Sequence, residues 1–293
     1  MLRSLLLCLL LAGPVGSTAG ADWPQFLGPT RNGVYPGIDL ADAWPAAGPR
    51  ALWKKDIGQG FAGPVVSAGR LVLFHRLEDR ETVDCLDART GDRLWRADYP
   101  THYQDDFGFD EGPRATPAIV DGKIYTFGAE GMLNCWGLAD GKNFWRVDTR
   151  QQFTAPKGFF GMACSPLVEG DAVILNIGGG NGAGVVAFDR STGKTLWKAT
   201  DDEASYSSPV ATTIGGRRYV LVFDRAALVA LEAASGKQLF RFPWRSRSHA
   251  SVNAATPLVI DDRVFISASY GTGAALLLFN QSGPQTLWSG DNI

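Results

Sequence analysis

The chain alternates short apolar runs with polar turns, and one unit of this pattern recurs every 43 to 52 residues. Each unit opens with a small residue followed by proline, and proline is tolerated where a strand begins. The five openings are Gly63-Pro64, Thr116-Pro117, Ser165-Pro166, Ser208-Pro209 and Thr256-Pro257. A turn and two further apolar segments follow each opening, without sustained helical periodicity, so each unit predicts short strands.

A second signal lies about 30 residues further on, where a glycine turn is followed by an aromatic residue. Glycine accepts positive φ and suits a tight turn between the third and fourth strands. The turn glycines are Gly91, Gly141, Gly193 and Gly236. The aromatic residues are Trp95, Trp145, Trp197 and Phe240, with Trp288 in a degenerate fifth copy and Trp53 ahead of the first unit. We expect these large flat side chains to dock between neighbouring units.

Four short strands in a period near 45 residues are typical of a β-propeller blade. The sequence therefore predicts an all-β propeller with five visible blades, at about 63–98, 115–148, 164–199, 207–242 and 255–290, within a propeller domain of 51–293. The segment 51–56, which contains Trp53, resembles a fourth strand without its three partners. We therefore expect a truncated ring, with a closed five-bladed ring as the alternative.

The repeat pattern A-x-D-x-x-T-G-x-x-x-W resembles the tryptophan-docking motif of propellers of the pyrroloquinoline quinone (PQQ) type. These include quinoprotein dehydrogenases and BamB-like exported proteins, and the resemblance implies that the truncated ring belongs to a propeller of seven or eight blades. The stretch 22–33, DWPQFLGPTRNG, is similar to the W-P-x-F-x-G-P opening of the BamB-like members. The resemblance is specific for the fold, and it implies envelope protein assembly only by analogy.

The N-terminus carries an export signal. Arg3 precedes a short apolar run, and Ala19-Gly20-Ala21 is a cleavage pattern, so residues 1–21 are predicted to be a signal peptide and 22–50 an N-terminal extension. The run is too short to span a bilayer, and no later segment resembles a transmembrane helix. We therefore expect a periplasmic or secreted protein. A net charge of -2 provides no basic field for nucleic acid.

Catalytic chemistry has little support in the residues. The dehydrogenase resemblance implies PQQ held between a tryptophan and two adjacent cysteines, with Ca²⁺ bound by Glu, Asn and Asp. Cys85, Cys135 and Cys164 are not adjacent, and we interpret them as core residues. The loop 105–111 has four carboxylates but no calcium-loop spacing, which favours a solvated acidic loop over a metal site. We expect no cofactor, and PQQ with Ca²⁺ is the alternative.

Binding is instead expected where loops enter the innermost strands, at one end of the central channel. These loops are 59–62, 99–115, 156–163, 201–207 and 245–255. The candidate ligand-binding residues are Arg114, Phe160, Tyr206, His249 and Asn253. The resulting hypothesis is a non-catalytic scaffold that binds an envelope protein or a small ligand; a PQQ-dependent dehydrogenase is the alternative.

The signal-peptide interpretation predicts that the exported protein begins at Asp22. Intact-mass measurement of protein recovered from the cell envelope or medium checks this prediction. A mass that retains residues 1–21 would contradict it.

Overall fold

A computed structural model describes residues 22–37, 40–246, 248, 252–280 and 282–291. It contains five four-stranded antiparallel sheets, each built from four strands consecutive in the chain. The first sheet comprises β1 (Val65–Ser67), β2 (Arg70–Leu77), β3 (Arg80–Asp87) and β4 (Arg93–Pro100). The second comprises β5 (Ala118–Val120), β6 (Lys123–Phe127), β7 (Met132–Gly137) and β8 (Asn143–Asp148).

The short helix α1 (Thr149–Phe153) connects the second sheet to the third. The third sheet comprises β9 (Leu167–Glu169), β10 (Ala172–Gly179), β11 (Ala183–Asp189) and β12 (Thr195–Ala199). The fourth comprises β13 (Val210–Ile214), β14 (Arg217–Phe223), β15 (Ala227–Glu232) and β16 (Gln238–Pro243). The fifth comprises β17 (Leu258–Ile260), β18 (Arg263–Ala268), β19 (Gly273–Asn280) and β20 (Gly283–Gly290). The predicted all-β class with five four-stranded blades is confirmed.

The hydrophobic core lies between the sheets. Four buried clusters occupy the four junctions between consecutive sheets. The third strands read as nearly continuous buried runs, as in β11, because both of their faces are covered. The outer strands have many exposed positions, as in β4. A single sheet therefore cannot bury its own apolar faces, and each sheet needs its neighbours.

The innermost strands are linked by a ladder of hydroxyl groups. The residue before each strand-opening proline accepts a hydrogen bond from the equivalent backbone N–H of the preceding sheet. Thr116 Oγ1 accepts from Gly63 N at 3.0 Å, and Ser165 Oγ accepts from Thr116 N at 3.0 Å. Ser208 Oγ accepts from Ser165 N at 2.9 Å, and Thr256 Oγ1 accepts from Ser208 N at 3.4 Å. This ladder explains why a serine or threonine precedes four of the five prolines.

In each of the first four sheets, the aromatic residue of the fourth strand packs on the turn glycine of the next sheet. A Cβ built on Gly141 would lie 2.6 Å from Trp95 Cε3, so the indole occupies the space that only glycine leaves open. Equivalent contacts join Trp145 to Gly193, Trp197 to Gly236 and Phe240 to Gly283. The Trp95 indole N–H also donates to Leu138 O at 3.0 Å, and that of Trp145 to Arg190 O at 3.2 Å.

The expected strand at 51–56 does not form. Within the described ranges, residues 51–56 have no strand pairing, because no third strand of those ranges lies beside them to complete a ladder. Trp53 nevertheless lies on Gly91 of the first sheet and donates its indole N–H to Ala88 O at 3.1 Å. At the other end of the array, Trp288 is 43% exposed.

The N-terminal extension runs across the innermost strands. Trp23 pairs with Val66 of β1 through two backbone hydrogen bonds of 2.9 Å, and Pro24 O accepts from Ile119 N of β5 at 2.8 Å. The guanidinium of Arg31 is buried and donates to the carbonyls of Ser165 and Pro166. Burial lowers the pKa of Arg31 to about 10, so the group stays charged at neutral pH. The extension thus covers strand edges that would otherwise be unpaired.

Cys85, Cys135 and Cys164 are free and buried, in agreement with their interpretation as core residues. Burial raises the pKa of the Cys135 thiol to about 11 and that of Cys164 to about 12, so neither is a reactive thiolate at neutral pH. Within the described ranges, no helix is long and apolar enough to cross a membrane.

A matched pair of glycine substitutions tests the aromatic contact. Gly141 and Gly122 both have φ of +71°, but a Cβ at Gly122 meets no atom within 4 Å. Gly122→Ala is expected to lower the free energy of unfolding by about 1 kcal/mol, the cost of left-handed backbone for a residue with a Cβ. Gly141→Ala adds a clash with Trp95, so we expect it to lower the free energy of unfolding by about 3 kcal/mol. Urea unfolding measures both variants. If the two substitutions lowered the free energy of unfolding equally, the contact between Trp95 and Gly141 would be contradicted.

Candidate binding site on the loop face

The loops that enter the innermost strands gather at one end of the molecule. This loop face comprises 59–62, 99–115, 156–163, 201–207 and 252–255. Its loops bond directly to one another: Phe61 N donates to Pro113 O at 2.9 Å. Phe160 N donates to Tyr206 Oη at 2.7 Å, and Tyr206 N donates to Asn253 O at 3.0 Å. The loop face is therefore one connected surface rather than a set of independent loops.

An aromatic cluster dominates the loop face, and we define it as Phe61, Phe107, Phe109, Phe160 and Tyr206. The Phe160 ring lies 5.1 Å from that of Phe107, 6.1 Å from that of Phe109 and 5.7 Å from that of Tyr206, centroid to centroid. Phe61 is 64% exposed, Phe107 55% and Phe109 72%. Large apolar side chains that remain so exposed on a rigid surface indicate an interaction site.

A cavity of about 410 Å³ lies within this cluster. Its lining residues are Phe61, Asp105, Phe109, Arg114, Phe160, Ala163 and Tyr206. This volume lies in the range of small-molecule pockets and also accommodates a large side chain.

A buried ion pair supports the cluster from below. Arg114 Nη2 lies 2.8 Å from Asp105 Oδ2, and their side chains are 7% and 0% exposed. The guanidinium also lies 4.6 Å from the ring centroid of Tyr103 and 5.6 Å from that of Phe61, within the range of cation–π attraction. Arg114 thus connects the acidic loop to the first loop of the face.

Asp105 also fixes the backbone that carries the exposed phenylalanines. Its Oδ1 accepts from Phe107 N at 2.9 Å and from Phe109 N at 3.2 Å. Burial alone would raise the pKa of Asp105, but these two N–H donors and the Arg114 guanidinium outweigh it and hold the pKa below its ordinary value. The carboxylate therefore stays charged at neutral pH and holds the loop in one conformation.

The interpretation of 105–111 as a solvated acidic loop is wrong for Asp105. Asp106 does face solvent and pairs with Lys157 at 2.7 Å, whereas Asp105 is the buried organiser of the loop. Among the described residues, no group of three or more His, Cys, Asp or Glu side chains is placed to hold a metal ion.

The structure brings three of the five candidate residues together, since Arg114, Phe160 and Tyr206 all line the cavity. Asn253 is buried nearby, but its Nδ2 donates to Asp224 O and Trp244 O, so its side chain joins backbone segments. His249 lies outside the described residues.

Sequence reasoning missed Phe61, Phe109 and Asp105 as members of the site. The available signal was the pair of phenylalanines, Phe107 and Phe109, that interrupts the acidic loop.

A second cavity of about 280 Å³ adjoins the first, and Tyr206 lines both. Arg225 lies over the ring of Phe159 at 5.4 Å and pairs with Glu203 beside this cavity. Burial raises the pKa of Tyr206, so its hydroxyl stays protonated at neutral pH. The basic residues around both cavities thus have acidic partners, and the face offers apolar surface more than net charge.

Five stacked four-stranded sheets with repeated aromatic contacts define a β-propeller built from PQQ-like repeats. The model of the family described as outer membrane protein assembly factor BamB matches residues 79–293, well over half of the chain. The chain belongs to this family.

Two kinds of curated protein are similar to this chain. The outer membrane protein assembly factor BamB of Burkholderia pseudomallei is 25% identical over 235 residues, which cover 77% of this chain and 56% of that protein. A quinohemoprotein alcohol dehydrogenase of Pseudomonas putida is 29% identical over 152 residues, which cover 50% of this chain and 20% of that protein.

Solved structures of a BamB and of a quinohemoprotein alcohol dehydrogenase are also similar to this chain. The crystal structure of BamB from Moraxella catarrhalis has a TM-score of 0.53 at 18% identity, over 80% of this chain and 64% of that one. The quinohemoprotein alcohol dehydrogenase from Comamonas testosteroni has a TM-score of 0.65 at 17% identity, over 93% of this chain and 49% of that one. These likenesses show the fold, and the chain spans only part of each relative's length.

The donor set that quinoproteins imply does not fit the loop face. The cavity has no tryptophan in its lining, and its acidic and basic members, Asp105 and Arg114, are bonded to each other. The three described cysteines are buried, and none follows another directly in the chain. No reaction step involving PQQ is therefore derived from these residues.

Asp105→Asn tests whether the buried pair supports the loop. At pH 7 the variant should unfold at a lower temperature than the wild type, because Arg114 loses its charge partner. Since the pKa of Asp105 is lowered in the folded state, its stabilising contribution is complete above its unfolded value of about 3.9 and is lost as pH falls through the folded value. The difference between the two proteins should therefore shrink in acid.

The matched control is Asp106→Asn, which changes the neighbouring exposed carboxylate. Thermal unfolding followed by circular dichroism across the pH range measures both variants. If Asp106→Asn destabilised the protein as much as Asp105→Asn, the buried pair would have no special role.

Proposed function

We propose that the protein is an exported, non-catalytic propeller whose loop face binds an extended apolar segment of another envelope protein. The observation that carries the proposal is the aromatic cluster, in which three phenylalanines are more exposed than buried. Leaving them in water forfeits hydrophobic stabilisation, so the arrangement favours a partner that covers them.

The support beneath the cluster favours tight binding. Asp105 holds Phe107 and Phe109 through backbone hydrogen bonds, and Arg114 holds Asp105. Aromatic side chains held in place before binding lose little conformational entropy when a partner arrives. The 410 Å³ cavity then accommodates one large apolar side chain of the bound segment.

Family membership supports the kind of partner. The relative from Burkholderia pseudomallei is named as an outer membrane protein assembly factor, and residues 1–21 of this chain are predicted to be an export signal. Proteins in transit to an outer membrane expose apolar segments before they fold, and such segments match the chemistry of the cluster. The proposal therefore places the protein in envelope protein assembly.

The alternative is a PQQ- and Ca²⁺-dependent dehydrogenase, since quinohemoprotein alcohol dehydrogenases share the fold. Titration of the purified protein with PQQ and Ca²⁺, followed by tryptophan fluorescence and dye-linked alcohol or sugar oxidation, separates the two proposals. Tight binding with turnover would overturn the non-catalytic proposal.

The binding proposal predicts the effect of removing two exposed rings. Phe107→Ser combined with Phe109→Ser should weaken binding of apolar peptides by about tenfold or more, the effect expected for hot-spot residues. The probes are overlapping peptides from envelope proteins of the source cell, first screened on an array and then titrated by fluorescence anisotropy. The fold should be unchanged because both side chains are exposed.

Phe144→Ser is the matched control, because Phe144 is an exposed phenylalanine on the outer strand β8, away from the loop face. It should leave peptide affinity unchanged. Equal weakening by the control, or full affinity in the double variant, would remove the loop face as the binding surface.

A further inference from the structure

A separate cavity of about 610 Å³ lies at the junction of the third and fourth sheets. The turns from β9 to β10, from β13 to β14 and from β15 to β16 surround it, together with Leu196 and Trp197 of β12. The first two of these turns follow innermost strands, and the third follows a third strand, which ends at the same end of the sheet because neighbouring strands are antiparallel. The loop face instead precedes the innermost strands. The cavity is therefore at the opposite end of the sheets from the aromatic cluster, and the proposed function does not use it.

The cavity exists because short side chains occupy positions that are filled at other junctions. Ala172 opens β10, whereas the residue that opens β2 is Arg70, whose Nη1 donates to two carbonyls of the second sheet at 3.2 Å. Ala233 lies three residues before Gly236, the turn glycine of the fourth sheet. The equivalent residue of the third sheet is Arg190, whose Nη1 lies 2.7 Å from Asp121 Oδ2. Arg70 belongs to the first junction and Arg190 to the second, and at the third junction both of these positions carry only a methyl group.

Trp197 brings an unused hydrogen-bond donor to this cavity. Trp53, Trp95 and Trp145 donate their indole N–H groups to turn carbonyls of the next sheet. Trp197 lies on its glycine in the same way and lines the cavity, but its N–H has no partner anywhere in the part of the chain that the structure describes. An aromatic surface with a free donor at its edge is therefore available to a ligand.

Four charged groups of the cavity are paired with one another, whereas Asp171 is exposed and lies 3.5 Å from Arg190, which is outside the lining. Arg218 binds Glu169 through two hydrogen bonds, of 2.7 and 2.6 Å, and Arg217 lies 2.8 Å from Glu232. A charged ligand of either sign would have to compete with these pairs. A neutral ligand with hydroxyl groups keeps them intact, because carboxylate oxygens have further lone pairs to accept hydrogen bonds.

We infer that this inter-sheet cavity binds a neutral saccharide. The apolar face of a pyranose ring packs on Trp197 and the neighbouring alanines, and its hydroxyl groups bond to the carboxylates of Glu169 and Glu232 and to the free indole N–H. The volume suits a mono- or disaccharide. The occupant is thus a polar molecule with one apolar face, unlike the peptide proposed for the loop face.

The test titrates the mature protein with glucose, N-acetylglucosamine, maltose and cellobiose, followed by isothermal calorimetry and saturation-transfer NMR. At least one of these sugars should bind. Trp197→Phe should weaken that binding about fivefold, because it removes a hydrogen-bond donor and keeps a ring. Phenylalanine is tolerated at this position of the repeat, since Phe240 occupies it in the fourth sheet.

Ala233→Arg should abolish binding, because it places in the cavity the side chain that Arg190 contributes one sheet earlier. The controls are Trp95→Phe, which makes the same aromatic change at the first junction, and Ala88→Arg, which makes the same change three residues before the turn glycine Gly91 of the first sheet. Both should leave sugar affinity unchanged. Failure of all four sugars to bind the wild type, or undiminished binding to Ala233→Arg, would overturn the inference. Peptide binding at the loop face would be unaffected by either result.

Discussion

The contact between the aromatic side chain that ends one sheet and the turn glycine of the next is the constraint on which the rest of the structure depends. Glycine meets two requirements there: its φ near +71° closes the turn, and its missing Cβ leaves space for the indole ring. Because every sheet must bury both faces, this contact and the apolar clusters beside it set how each sheet stacks on the previous one.

The aromatic contacts join the fourth, outer strand of one sheet to the turn before the fourth strand of the next, and hydrogen bonds join the innermost strands. The hydroxyl ladder fixes the start of each innermost strand relative to its neighbours, and the N-terminal extension covers their edges with Trp23 and the buried Arg31. The loops of the binding face end at these fixed strand starts. Their relative positions therefore follow from the scaffold, which is why residues far apart in the chain, such as Arg114 and Tyr206, line one cavity.

The cavity of the aromatic cluster and the cavity between the third and fourth sheets show how a repeated scaffold acquires distinct surfaces. At the loop face, long insertions provide aromatic rings that a buried ion pair holds outward. At the junction of the third and fourth sheets, the change is a loss of side-chain length, because Ala172 and Ala233 take places that Arg70 and Arg190 fill in one other unit each. Neither change disturbs the aromatic contacts, so the fold tolerates both.

The sequence by itself determined the all-β class, the five four-stranded sheets and the aromatic and glycine positions, because the spacing of proline, glycine and tryptophan is local and repeated. It also identified Arg114, Phe160 and Tyr206 as residues of one face, since each precedes an innermost strand. It did not show that Asp105 is buried, because the burial depends on contacts with the side chains of Arg114 and Tyr103, which sequence spacing does not show.

Only the tertiary structure decided that 51–56 forms no strand, since a strand requires a neighbour and none of the described strands lies beside it. Only the tertiary structure, likewise, revealed the cavity beside Trp197. An alanine in a sequence shows a small side chain, but whether the space it leaves is filled depends on the residues of the adjacent sheet.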